Sequence, residues 1–186
     1  MKGKPVFKLC VLSIGICVAG SGCRGDGVAD LNGRTANALS KTQATVVFFV
    51  ATSCPISNRY APEVQRLSET WASLAVQTRL VYAGDESNDE VRAHLLAYGL
   101  KIPALRDPRH VLARRAGVAV TPEAAVFNKD GRVLYHGRID DRWVNFGVSK
   151  PEPSRRDLVD AVNAMLAGKP VQSPGGPAVG CSIGPP

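Results

Sequence analysis

Residues Ala44 to Val50, ATVVFFV, are almost all apolar and rich in β-branched and aromatic side chains. A run this short and continuous reads as a buried strand, not as one with a wet face. It needs structure packed above and below it, which points to an α/β architecture. The following residues, Cys54–Pro55–Ile56–Ser57, open a segment suited to helix, with Val64, Leu67, Trp71 and Leu74 along one apolar face. Pro62 is expected to start or kink that helix, which should end near Leu74. A thiol between such a strand and such a helix would face unpaired backbone N–H groups and the positive end of the helix dipole. It would otherwise be a small apolar filler, as buried cysteines often are.

The rest of the chain supplies the layers. Thr78–Ala83 reads as a second buried strand. Ser87 and Glu90 form a capping box for a helix whose buried side is Val91, Leu95 and Leu96, stopped by Gly99. Ile102–Leu105 is extended, and Asp107–Pro108 opens a helix to about Ala116. Ala124–Phe127 and Val133–Tyr135 are strands joined by a turn at Asn128–Gly131, and Ser154 begins a last helix. Asn32–Gly33 marks an early hairpin. Strand–helix–strand units favour a central mixed sheet flanked by helices, the late hairpin adding antiparallel edges.

With 186 residues and a 45% hydrophobic share, the chain supports one domain with a full core. Net charge is +7, and no basic stripe interleaved with aromatics is present, which argues against nucleic acid as a partner. Lys2, Lys4 and Lys8 precede an apolar stretch, LCVLSIGICVA, of 11 residues. That is too short to span a hydrocarbon layer of about 30 Å, but suits a secretory signal over residues 1–22. Small residues before Cys23 resemble the lipobox of bacterial lipoproteins, except that Gly20 stands where Leu is usual. Lipidation of Cys23 is therefore expected, with ordinary cleavage and an uncleaved anchor as alternatives. Each places the domain outside the cytoplasm; the expected location is the periplasmic side of a bacterial membrane, attached to it only through the lipid. Residues 23–26 would be a linker, 27–167 the domain, and 168–186 a Pro/Gly-rich tail able to move freely. Of five cysteines, Cys10 and Cys17 leave with the signal and Cys23 carries lipid. Cys54 and Cys181 remain, which in an exported protein suggests a pair.

Three stretches in order resemble the thioredoxin superfamily, in particular its redoxin or AhpC/TSA-like branch: Phe48–Val50 running into Cys54–Pro55; Gly117–Val118–Ala119–Val120–Thr121–Pro122; and Asn128–Lys129–Asp130–Gly131–Arg132–Val133. The resemblance implies a thioredoxin-like fold, a nucleophilic Cys54, and a cis bond before Pro122. The Thr121 backbone would then face the cysteine and pair with an extended substrate. Pro55, Ser57, Thr121 and Pro122 would form the substrate site. Ser57 would either donate to the thiolate or merely cap the helix.

The departures matter as much. The thioredoxin-type second cysteine is replaced by Ser57, so no disulfide can close inside the motif. Cys181 is the candidate resolving partner, within the chain or from a neighbour, or else a structural or idle thiol. A peroxiredoxin-like peroxide reductase is the alternative reaction, but Val47 and Ala51 stand where that signature expects Pro and Thr, with Thr52 one place off. A non-catalytic protein- or copper-binding module is the alternative class. Asn58 occupies the second copper cysteine's place, and His136 is the only histidine placed to help. His94 and His110 read as surface or edge residues, the Asp140–Asp141 pair as solvated or ion-paired, and Trp71 and Trp143 as packing. The expectation is a thiol-dependent oxidoreductase without cofactor or metal. Its partner would be a thiol or disulfide protein or a small thiol, with peroxide as the alternative substrate.

Overall fold

A computed structural model describes residues 27–39 and 42–184. The proposed leader, linker and Cys23 lie outside the described residues. The central sheet has seven strands: β1 (Val28–Asp30), β2 (Thr35–Ala36), β3 (Ala44–Val50), β4 (Val76–Tyr82), β5 (Ala104–Arg106), β7 (Glu123–Asn128) and β8 (Val133–Gly137). Their spatial order is β2-β1-β5-β4-β3-β7-β8. Strands β3, β4 and β5 run parallel, whereas β1 joins β5, and β7 joins β3, antiparallel. The late hairpin therefore supplies an inner strand, β7, and an edge, β8.

Strand β3 is buried along its whole length. Ala44, Val46, Phe48 and Val50 join one apolar cluster with Val64, Leu67 and Trp71 of α1 (Pro55–Ala72) and Leu158 and Val162 of α4 (Asp157–Leu166). Val47 and Phe49 point the other way, into a cluster with Leu112 and Ala116 of α3 (Val111–Ala116). The two-residue period of a strand thus divides one apolar run between two cores. Phe48 stacks on Trp71 with ring centroids 6.4 Å apart.

Helix α1 starts at Pro55 and passes through Pro62, so Pro62 is not its first residue. Leu74 lies beyond its end and is exposed. Helix α2 (Asn88–Ala97) has the expected capping box, but buries Val91 and His94 and leaves Leu96 exposed. Helix α3 begins later than Asp107. That buried carboxylate accepts the N–H groups of Val111, Leu112 and Ala113, as an N-terminal anchor outside the helix does. Similarly α4 begins at Asp157 rather than Ser154, and the N–H groups of Ser154 and Arg155 before it go to the Asp141 carboxylate.

The tail contradicts the expectation of free movement. Gly175 donates to the His136 carbonyl and Arg138 to that of Gly176, at 2.8 and 3.3 Å, along the exposed side of β8. Residues Cys181–Ser182 then form β11, antiparallel to β6 (Val120–Thr121). A third small sheet pairs β9 (Trp143–Asn145) with β10 (Val148–Ser149). The glycines that suggested mobility provide close contact: a Cβ on Gly175 would lie 2.3 Å from the Tyr135 hydroxyl, and one on Gly180 2.0 Å from the Thr121 carbonyl oxygen. Among the described residues no helix is long and apolar enough to cross a membrane.

Candidate active site

Cys54 occupies the N-cap position of α1 with extended backbone, and its side chain does not cap the helix. The following Pro55 has no N–H to offer, which suits a first helical position. The thiol donates a hydrogen bond to the Thr121 carbonyl oxygen at 3.0 Å. The Thr121–Pro122 bond is cis, and the first two stretches of the family-like pattern meet at this sulfur.

Cys181 meets it from the other side. In β11 it is paired directly with Thr121. The Thr121 hydroxyl donates to the Cys181 carbonyl at 3.4 Å, and the Ile183 N–H to that of Ala119 at 2.9 Å. The thiols of Cys54 and Cys181 are both free, and they lie near enough for each to bear on the ionisation of the other. Cys54 is 0% exposed and Cys181 is half-buried. The second thiol at this site thus belongs to the same chain and is carried by a seated strand.

Burial pushes the Cys54 thiol up. The Cys181 thiol and the N–H and hydroxyl of Ser57, as donors available to the ionised sulfur, outweigh it, and the net position is below the ordinary value of 9.0. Cys181 is pushed up to about 11 by burial, by its hydrogen bond to Cys54 and by the charge there. Ser57 is the third residue of α1, so it does not cap the helix. Its hydroxyl is buried and makes no hydrogen bond while the Cys54 thiol is turned to Thr121. Its contribution is to the ionised sulfur.

Several supporting groups escaped the sequence reading. Asn58 donates to the Thr52 carbonyl at 3.2 Å and shares a 2.8 Å hydrogen bond with His94 Nε2. The other ring nitrogen of His94 meets the Tyr82 hydroxyl at 2.9 Å. This buried chain braces the loop before Cys54, and burial holds His94 below its usual pKa of 6.5. Glu123 Oε2 accepts the N–H groups of Ala119 and Val120 at 3.1 and 3.4 Å, fixing the strand that faces Cys54. An acid at the first position of an otherwise apolar strand was the available signal.

His94 and His110 are buried, not surface residues. Asp140 and Asp141 are buried as well. Asp140 accepts the Tyr60 hydroxyl, and Asp141 is held down at about 2 by Lys150 and the N–H groups of Arg155 and Ser154. Trp71 packs in the core, while Trp143 is only partly buried. Among the described residues no three His, Cys, Asp or Glu side chains are placed to hold a metal. Asn58 is committed to His94 and Thr52, and His136 lies 3.8 Å from Glu123. A cavity of about 440 Å³ opens beside Cys181, walled by Ser53, Asp85, Glu86, His110 and Ser182.

Residues 27–146 match the Redoxin family. Among solved structures, a hypothetical protein from Sinorhizobium meliloti is 27% identical with a TM-score of 0.72, over 84% of this chain and 88% of that one. An uncharacterized conserved protein from Geobacillus kaustophilus is 23% identical with a TM-score of 0.68, over 84% and 86%. A secreted disulfide oxidoreductase of Mycobacterium tuberculosis, homologous to E. coli DsbE, is 18% identical with a TM-score of 0.50, over 76% and 93%. These likenesses agree on a thioredoxin-like fold. No curated protein matches the chain.

Proposed function

The chain belongs to the Redoxin family, and on that footing we propose that it is an exported thiol-disulfide oxidoreductase working through Cys54 and Cys181. One observation carries the reading. The Cys54 sulfur lies at a helix N-terminus, 3.0 Å from the Thr121 carbonyl beside cis Pro122, and the second cysteine, Cys181, is paired with that same Thr121.

In the reaction, the Cys54 thiolate attacks one sulfur of an external disulfide. That S–S bond breaks, one partner thiolate leaves, and a mixed disulfide forms at Cys54. Cys181, giving up its proton to the first thiolate released, attacks the Cys54 sulfur and expels the second thiolate. The external disulfide is reduced, and Cys54–Cys181 is oxidised to a disulfide. Because Cys54 is 0% exposed beneath β11, the first attack requires that strand to lift. Pro55, Ser57, Thr121 and Pro122 border the space it vacates. The leader over residues 1–22 and lipidation at Cys23 would hold the domain outside the cytoplasm, where disulfide partners persist.

The test is exchange with oxidised glutathione. Wild type should lose two hydrogens by intact mass and turn over a dye-labelled glutathione disulfide, and Cys54→Ser should do neither. Equal turnover by both proteins would remove the proposal. Oxidation of Cys54 by peroxide alone, with no exchange activity, would favour the peroxide reductase instead.

A further inference from the structure

The two sulfurs are presented to solvent unequally, and that bears on how the oxidised couple is reset. Cys54 is 0% exposed and does not border the cavity, whereas Cys181 is half-buried and lines it. The groove along Val120–Thr121, which a protein partner would use by adding a strand, is filled by Cys181–Ser182. What stays open is the 440 Å³ cavity walled by Ser53, Asp85, Glu86, His110 and Ser182. Its volume suits a small molecule better than a polypeptide.

Resting on the proposed function, we infer that the Cys54–Cys181 disulfide is reduced by a low-molecular-weight thiol that enters this cavity and attacks Cys181, not Cys54. The incoming thiolate forms a bond to Cys181 Sγ, the Cys54–Cys181 bond breaks, and Cys54 departs as thiolate. A second small thiol attacks the sulfur of the first, the small disulfide leaves, and Cys181 takes a proton. Two small thiols are oxidised and the protein disulfide is reduced. Exchange is faster when the expelled sulfur is the more acidic one. Cys54 has that character, because the N–H and hydroxyl of Ser57 remain beside it as donors to the departing thiolate. Substrate and reductant thus engage different sulfurs: the substrate meets Cys54 with the strand lifted, the reductant meets Cys181 with the strand seated.

Glutathione is the probe. Oxidised full-length protein is mixed with reduced glutathione and quenched with N-ethylmaleimide, and the two tryptic cysteine peptides are weighed. Glutathione should be found on Cys181 with maleimide on Cys54, in at least tenfold excess over the reverse. Gly180→Val, whose side chain collides with the Thr121 carbonyl, should shift glutathione toward Cys54. Asp85→Trp, which fills the cavity wall far from both cysteines in sequence, should slow reduction at least tenfold with the disulfide still forming. Glutathione mainly on Cys54 in wild type, or an undiminished rate in Asp85→Trp, overturns the inference alone. Failure of the disulfide to form at all overturns it together with the proposed function.

Discussion

Cys54 and Cys181 arrive at one point of the molecule by different physical routes. Cys54 is placed by its own neighbours. Strand β3 ends at Val50, four residues ending in Cys54 bridge, and α1 begins at Pro55, so the thiol's position follows from where two regular elements stop and start. Cys181 follows α4 after a stretch with no strand or helix until β11. Its segment is positioned by contacts with residues far away in sequence: His136 of β8 and Arg138 just beyond it, then Ala119 and Thr121. The first position is local and rigid. The second is a strap seated by a few hydrogen bonds, by glycines fitting against other backbone and side chains, and by partly buried Val171, Val179 and Ile183 at the margins of the two apolar clusters. Regions with little regular structure and few apolar contacts open first. The chemistry proposed here needs that inequality, with one sulfur fixed and the other able to leave.

The largest break in the comparison comes from the nucleophile. Cys54→Ser should reduce exchange by at least about a hundredfold, as expected when the attacking atom is removed. Adding Cys181→Ser should cost little more, because groups acting as a unit are non-additive. Paired kinetics of the single and double variants check both points.

Next comes the strap. Gly180→Val should unseat β11 and raise the rate of iodoacetamide alkylation at Cys54 by about tenfold, equivalent to ~1.4 kcal/mol of lost protection. The melting temperature should change little, since both apolar clusters centre on β3 rather than on β11. A large loss of stability with no gain in alkylation would mean the strap is part of the core.

The fixed side has its own signature. His94 is held neutral by burial, below the value of 6.5 it has when free. Its contribution to stability is therefore present above pH 6.5 and is lost as pH falls through its lower folded value. Thermal unfolding from pH 7.5 to 5 should show this decline, and His94→Gln should flatten it. Asn58→Ala should cost about 1–2 kcal/mol by freeing the Thr52 carbonyl and one His94 nitrogen, measured by urea unfolding. The smallest effect belongs to Ser57→Ala. Removing a donor to the thiolate should move the Cys54 alkylation profile to higher pH, with no change in β11.

Much of the Cys54 side was legible because its determinants are short-range. The apolar run, Cys54–Pro55 and the spacing of Val64, Leu67 and Trp71 announce a strand, a helix start and a buried face. The capping box at Ser87 and Glu90 and the turn at Asn128–Gly131 were equally plain. The supports were harder to see. A histidine flanked by ordinary helix residues carries no sign that Tyr82 and Asn58 will enclose it. Asp140 and Asp141 look solvated until Tyr60 and Lys150 are brought to them. On the Cys181 side composition misled, because Pro and Gly signal mobility only when nothing packs against them.

Local periodicity and turn chemistry in the sequence are enough to specify a mixed sheet between helices, with a thiol where β3 gives way to α1. Only the tertiary structure decides that the tail returns as a strand, that Cys181 covers Cys54, and that the two sulfurs face solvent unequally. The reason is range. Backbone preference and side-chain alternation act over a few residues and are written along the chain. A close approach such as Gly180 to Thr121 depends on folded surfaces that exist only once β7 and β8 have been laid beside β3.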